Sequence, residues 1–503
     1  MPDPSHLEMT NEKKKIGTAY LCLHGHFYQP PRDDPFTGHI PVEPAATPFA
    51  NFNEKITTEC YRPNTEVGNF DAINFDLGPT LAAWLEDAHE DVYQCIIEAD
   101  RKHLARYGVG NAMAQAYNHT ILPLAPTRDK RTQIAWGLSD FQHRYGRKAT
   151  GMWLAETAID LECLDMLAQY GVTYTVLAPW QAATPIDPTE PYIVPLQDGR
   201  SITVFFFNAP LSGGVSFDWN ATTNADLFAA DYLPRHLVQS KRDAGEAQLI
   251  LIATDGELYG HHKPWRDKFL MHLIHTGAPA YGFELCTLEQ YMQLHPATRE
   301  VTLRLPSAWS CGHGVARWDI GCECTENDSS WKGELNHALR NLAERADQLF
   351  EHYAGETLLD PWAARDAYLP VRNGWEPLES FWAQHGKQGD SRFVQRTLLL
   401  LEAQYYQQCS FTSCGFFFED LDRIEPRNNI AFARRAISLI WQSLGIDLQP
   451  EFVNDLRAVK SWHTPNLTGA DVYWQLPIVR PDQLPPLPLP TLHGLNKEEE
   501  NIA

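Results

Sequence analysis

The sequence predicts an α/β fold in which a (β/α) barrel, or a related wound parallel sheet, is followed by a mainly helical region. Three observations carry this expectation. Short, nearly continuous apolar segments end on polar residues, and segments of helical periodicity separate them. Past about residue 310, strand-like segments give way to helical ones.

The strand candidates are Ile16 to Leu23 closing on His24, Thr150 to Leu154 closing on Glu156, Val172 to Leu177 closing on Pro179, Ile202 to Phe207 closing on Asn208, and Leu249 to Ala253 closing on Asp255. Apolar runs of this kind fit parallel strands buried on both faces. Between them, Gly78 to Glu86, Arg128 to Tyr145 and Ala158 to Gln169 read as helices. In the last of these, Leu161, Leu164, Met166 and Leu167 recur at roughly helical spacing. Polar residues that follow the strands then gather at one end of the sheet, where such folds place their chemistry. The barrel is expected over residues 16–310, after a disordered stretch at 1–15. Lys332 to Tyr353, Arg392 to Gln408, Asn428 to Leu444 and Phe452 to Lys460 are expected helices of a domain spanning 311–465. Residues 466–503, proline-rich from Leu476 to Pro490, are expected to be an extended tail.

The chain of 503 residues is 44% hydrophobic and 11% aromatic, enough apolar material for more than one domain. With 41 basic against 64 acidic side chains its formal charge is −23, which repels phosphate backbones and anionic lipid surfaces. Nucleic acid and membrane are therefore not expected partners, whereas a neutral polar substrate is compatible. No window approaches the roughly 20 apolar residues that span a bilayer. The amino terminus has no signal-peptide core, so a cytoplasmic location is expected. There the ten cysteines are expected as free thiols. Fifteen tryptophans exceed ordinary usage, and some are expected to line a pocket. No residue pattern specifies an oligomeric state.

Five segments carry candidate chemistry. In Leu21 to Arg32, His24 and His26 alternate, so on a continuing strand both imidazoles face one side, a geometry for one substrate or one metal. In Tyr61 to Leu81, Asn64, Glu66, Gly68 and Asn69 form a polar turn bordered by Tyr61, Phe70 and Phe75, which suits a sugar subsite or a well-capped loop. Glu156 follows Met152-Trp153-Leu154, where a buried strand meets its loop. A carboxylate there is costly unless it is hydrogen-bonded, and the other reading is the first turn of a helix. Asp255 and Glu257 follow a strongly apolar strand, Gly256 permits a tight turn, and His261 and His262 come next. Leu305 to Cys324 sets Trp309, His313, Arg317 and Trp318 among glycines. Cys311, His313, Cys322 and Cys324 are of zinc-ligand type but lack paired Cys-x-x-Cys spacing, so no metal is assigned.

Two carboxylates from the ends of separate strands are what glycosidic cleavage requires. One attacks the anomeric carbon and the other protonates the departing oxygen, about 5 Å apart for retention and nearer 8 Å for inversion.

Taken together, the five segments resemble glycoside hydrolase family 57 from about Ile16 to Trp318, and the helical remainder resembles the carboxy-terminal region of one branch of that family. The resemblance rests on His24-Gly25-His26 with Gln29-Pro30, on Glu66 in Glu-Val-Gly-Asn, on Trp153-Leu154-Ala155-Glu156, on Asp255 opening Asp-Gly-Glu-Leu-Tyr-Gly-His-His, and on Trp309 to Trp318. It implies a distorted (β/α)7 barrel followed by helices, no cofactor, and action on α-glucans such as glycogen, starch and maltodextrin. It also implies a retaining mechanism, hydrolytic or transglycosylating, with Glu156 as nucleophile and Asp255 as general acid and base. Substrate contacts are expected from His24, His26, Glu66, Trp153, Trp180, Glu257, His261, Trp309, His313 and Trp318, with His26 favoured over His24. Two features depart from the family pattern: His-Gly-His-Phe-Tyr-Gln-Pro is longer than the family's compact His-Gln-Pro, and the aromatic loop at Phe416 to Phe418 has no counterpart. That loop reads as interdomain packing or as a pocket wall. Two other function classes are open. One is a metal-dependent deacetylase or mannosidase-like hydrolase with His24, His26 and Asp255 as ligands. The other is a non-catalytic glycan-binding protein.

Overall fold

Seven parallel strands form the barrel wall among the residues that the computed structural model describes, 17–387 and 391–476. They are Ala19–Phe27, Asn74–Leu77, Ala112–Gln115, Met152–Trp153, Tyr174–Leu177, Ser201–Phe206 and Gln248–Asp255. The last strand lies beside the first from Ala19 to His26, and the first lies beside the second from His24 to Phe27. Pairing continues through the third strand to the fourth, passes by a bridge at Gly151 and Tyr174 to the fifth, and from there to the sixth. The Asn208 N–H donates to Leu251 O at 2.7 Å, joining the end of the sixth strand to the seventh. This is a distorted (β/α)7 barrel.

The period-2 alternation of the first strand explains its composition. Cys22 points into the barrel with Met113, Trp153, Val176, Phe205, Leu249 and Leu251. Leu21 and Leu23 face the surrounding helices and join Leu81, Ile96, Ile134 and Leu164. The strand runs on through both histidines, beyond the expected end at Leu23. The second and third strands were not among the sequence candidates. Each is four residues long and carries polar side chains, Asn74 and Asp76 in one and Gln115 in the other, all buried.

The barrel helices form close to where their apolar periodicity predicts: Pro79–Ala88, Thr127–Tyr145 and Leu161–Gln169. Asp160 caps the last of these by accepting from the Cys163 N–H. Beyond the barrel, Trp331–Ala354, Ser391–Cys409, Ile424–Leu444 and Gln449–Leu456 build a helical body. Its core of Leu335, Leu398, Leu401, Phe416, Ile430 and Ile437 also takes in Ile121, Ala155 and Ala158 from the barrel side. The wholly buried Arg365 fastens the two bodies together, donating to Asp129 Oδ1 and Gln404 Oε1 at 2.7 Å each.

The expected extended tail begins differently. Thr468 caps a final helix, Gly469–Gln475, whose Val472 and Tyr473 are buried, so this part of 466–503 folds onto the helical body. The proline-rich run from residue 477 on, like residues 1–15, lies outside the described residues. Among the described residues no helix is long and apolar enough to cross a membrane.

Candidate active site

At the carboxyl ends of three neighbouring strands, His26 is paired in register with Asp76 on one side and Asp255 on the other. Parallel pairing thus places an imidazole between two carboxylates.

Hydrogen bonds assign the protons. Asn74 Nδ2 donates to His24 Nδ1 at 2.7 Å, which leaves the His24 Nε2–H to donate to Asp76 Oδ1 at 3.1 Å. His26 Nδ1–H donates to Asp76 Oδ2 at 2.8 Å, and Gln115 Nε2 donates to the same oxygen at 2.9 Å. Burial opposes charge on His26, but the contact with Asp76 outweighs it, and Asp255 and Glu257 add to the effect, so its pKa rises to about 9. Burial would raise Asp76, yet its two histidines hold it below the usual carboxylate range. His24 is pushed down by burial and stays neutral. His119 is pushed well down, first by burial and then by the charge of His26. Its Nε2 therefore accepts from the His26 Nε2–H at 3.2 Å, while its Nδ1–H donates to Ser413 Oγ at 2.7 Å. The row Asp76, His26, His119, Ser413 begins in the barrel and ends in the helical body.

Aromatic rings hold this row in place. Trp153, wholly buried, stacks on His24 and His26 with centroids 4.7 and 5.1 Å away. Trp309 stands edge-on to it at 5.2 Å, and Tyr28 stacks on His119 at 3.9 Å.

Glu156 follows the fourth strand in a conformation that few residues other than glycine adopt: φ is 57° at Glu156 and 48° at Thr157. Two such residues in succession cost on the order of 1–3 kcal/mol each and persist only when the surroundings over-determine them. Gln181 does this. Its Oε1 accepts from the Thr157 hydroxyl at 2.8 Å and the Ala178 N–H at 2.9 Å, and its Nε2 donates to Thr157 O at 2.9 Å and Ser307 Oγ at 3.1 Å. The Trp309 N–H completes the clamp by donating to Glu156 O at 2.9 Å. The Glu156 Oε2 so presented accepts from Trp309 Nε1–H at 2.8 Å and from the Ser310 hydroxyl at 2.6 Å. Burial raises its pKa, the two donors draw it down, and the charge of Asp255 pushes it up again, leaving it raised overall.

Asp255 differs. Its side chain is exposed to solvent although protein surrounds it closely. Among the described residues no hydrogen bond reaches its carboxylate. Burial raises it, against the opposing charges of His26 and His262. Behind it, Glu257 Oε1 accepts from Tyr61 OH at 2.7 Å and the Tyr28 N–H at 3.2 Å, and burial pushes this carboxyl up to about 7. Gly256 between them serves close approach rather than an unusual backbone angle: a β-carbon there would lie 2.3 Å from the Phe27 ring.

Of the residues singled out in the sequence, His26, Glu156, Trp309 and Asp255 come together, with Glu257 directly behind. Trp180 stands at a rim, half exposed, its Nε1 donating to Ala308 O and its ring edge-on to Phe207. His24 and Trp153 are sealed behind His26 and are supports rather than contacts. Glu66 is solvent-exposed on Arg62–Glu66, while Asn64 and Asn69 turn inward and bond Tyr259 O and Asp267 O. His261 pairs with Glu59 at 2.6 Å, and it is His262 whose charge bears on Asp255. His313 lies against Cys324 and Glu323, and Trp318 is buried in the helical core beside a separate recess of about 620 Å³. Asp76, His119, Ser310, Tyr28 and Ser413 were not among the sequence candidates. Only Asp76 and His119 carried a signal, as polar residues at or soon after the ends of short apolar segments. The metal-ligand reading of His24 meets an obstacle, since both its ring nitrogens are engaged by Asn74 and Asp76.

The helical region matches the description "Domain of unknown function (DUF3536)" over residues 328–488. Among solved structures, an exo-type maltose-forming amylase from Pyrococcus sp. ST04 is similar at a TM-score of 0.68 and 13% identity, covering 87% of this chain and 82% of that one. A branching enzyme from Pyrococcus horikoshii gives a TM-score of 0.61 at 15% identity, covering 87% and 94%. Alpha-amylase 1 of Dictyoglomus thermophilum is 26% identical over 160 residues, 32% of this chain and 21% of that protein, so the chain spans about a fifth of the curated relative it matches. The description "Glycosyl hydrolase family 57" matches residues 12–304, more than half of the sequence, and the chain belongs to that family.

Proposed function

We propose that this protein is a retaining α-glucan-active enzyme, a hydrolase or transglycosylase, with Glu156 as nucleophile and Asp255 as general acid and base. One contrast carries the assignment of roles. Both carboxyls are raised, but Glu156 Oε2 is held by two donors that stabilise its anion, whereas the Asp255 carboxyl is open to solvent and has no hydrogen-bond partner among the described residues. The first suits a poised carboxylate and the second a group that carries a proton.

In this reading Asp255 protonates the glycosidic oxygen as Glu156 attacks the anomeric carbon, forming a β-linked glycosyl-enzyme. The aspartate, now a base, takes a proton from water or from an acceptor sugar hydroxyl, and the α configuration is restored. His26 supplies a fixed positive charge beside both acids. Activity on α-glucan is supported by membership of the family, by the amylase named as a curated relative, and by the amylase and branching enzyme that share the fold.

The test is incubation with glycogen, amylose and maltooligosaccharides, reading chain length, branch points and the anomeric configuration of the first-formed product by proton NMR. Products with retained α configuration are expected, and folded Glu156→Gln and Asp255→Asn variants should lose at least about a thousandfold in kcat. An inverted product, or full activity in Glu156→Gln, would overturn the assignment.

A further inference from the structure

Immediately after the two residues that hold Glu156, the chain brings four soft ligands together. Cys311 and Cys322 have sulfurs 3.7 Å apart, and Cys324 Sγ lies 3.4 Å from His313 Nδ1. All four ligand atoms lie within 4.8 Å of one another. We propose that Cys311, His313, Cys322 and Cys324 bind one zinc ion in a closed tetrahedral site that fastens the loop behind Glu156 to the start of the helical body.

The distances fit zinc rather than sulfur–sulfur bonding. With Zn–S of about 2.3 Å and Zn–N of about 2.0 Å, neighbouring ligands of a tetrahedron stand about 3.5–3.8 Å apart. A disulfide needs about 2.05 Å. Three thiolates and an imidazole favour zinc over hard cations, and four protein ligands leave no open position, which marks a structural site rather than a catalytic one.

The surroundings are those of a ligand site. His313 presents Nδ1 to the cluster while its Nε2 lies 3.1 Å from Glu323 Oε1, the second contact that fixes a ligating imidazole. The backbone N–H of Cys324 is directed at the Cys322 sulfur, and that of Gly312 at the Cys324 sulfur. Gly321 turns the loop at φ 82°, where a β-carbon would lie 2.2 Å from Ser329 O. A zinc ion with three thiolates carries one net negative charge. Arg317, which donates to Cys324 O, is placed to balance it, and the buried Lys332 donates to Thr325 Oγ1 nearby.

The consequence is positional. Trp309 and Ser310 directly precede Cys311, and Trp318 and Trp331, on either side of Cys322 and Cys324, are in the helical core. An ion here would fix the donors to Glu156 without touching substrate.

The experiment is elemental analysis of the full chain, purified under reducing conditions with zinc present, followed by removal with a thiol-directed chelator and refilling with Co²⁺. One equivalent of zinc is expected. The cobalt form should show thiolate charge-transfer and tetrahedral ligand-field bands. His313→Ala, at an exposed position, should fold and weaken metal affinity at least tenfold, His313→Cys should retain the ion, and Cys95→Ser should leave binding unchanged. Less than a tenth of an equivalent of zinc with no cobalt bands, iron in place of zinc, a Cys311–Cys322 disulfide in the freshly purified protein, or unchanged affinity in His313→Ala would overturn the proposal.

Discussion

Glu257 couples the site to the stability of the fold. Its carboxyl moves from an ordinary 4.5 to about 7, so between those pH values the folded protein holds a proton that the unfolded chain has released. The stabilisation is therefore full below about pH 4.5 and is lost as pH rises to about 7. Glu257→Gln keeps an oxygen for Tyr61 and is expected to flatten that slope, gaining up to about 3 kcal/mol in urea unfolding at pH 8. His26 shows the base counterpart: its raised pKa adds stability below about 6.5 that is lost as pH climbs through about 9. Because Asp76 is the chief source of that rise, Asp76→Asn should leave His26 neutral at pH 7, visible in imidazole nitrogen shifts, and should lower kcat with it. Glu66 shows what residue type alone leaves open. It belongs to a polar, sugar-friendly segment, yet it lies two positions from Asn64 on a helix, about 200° around the axis, and faces solvent when Asn64 faces in.

At the scale of elements, the turn after the fourth strand is the piece on which presentation of Glu156 depends. Gln181 engages four groups around it, so Gln181→Leu should leave buried polar atoms unpaired, cost roughly 2–4 kcal/mol in stability, and reduce kcat at least tenfold while Trp309 fluorescence shifts. Unchanged kcat in a folded variant would show that the clamp is dispensable. The long apolar strands at Ala19–Phe27 and Gln248–Asp255 were legible because their hydrophobic runs need no partner to be recognised. Asn74–Leu77 and Ala112–Gln115 were not, since four residues with buried Asn, Asp or Gln look like loop until neighbouring strands satisfy them. Glu156 and Asp255 were readable for the opposite reason: each is an acid set directly after an apolar run. Nothing local marks Ser413, whose partner His119 is 294 residues away in sequence.

For the whole molecule, the shared core implies that barrel and helical body fold as one unit. A fragment ending at residue 327 would expose Ile121, Ala155 and Ala158, strip Asp129 of Arg365, and leave His119 without Ser413. Such a fragment is expected to aggregate or remain partly unfolded by circular dichroism and sedimentation, whereas the full chain unfolds in one cooperative step. A folded, active fragment would refute this.

The histidine row also sets the charge that a visitor to the site would meet. Asp76 and the His26 imidazolium cancel, so the charge is set by the acids that remain, Glu156 and Asp255, with Glu257 behind them. Basic iminosugars, which imitate the cationic character of a half-cleaved glycoside, should accordingly bind more tightly as pH rises and these acids ionise, and should lose part of that gain in Glu156→Gln.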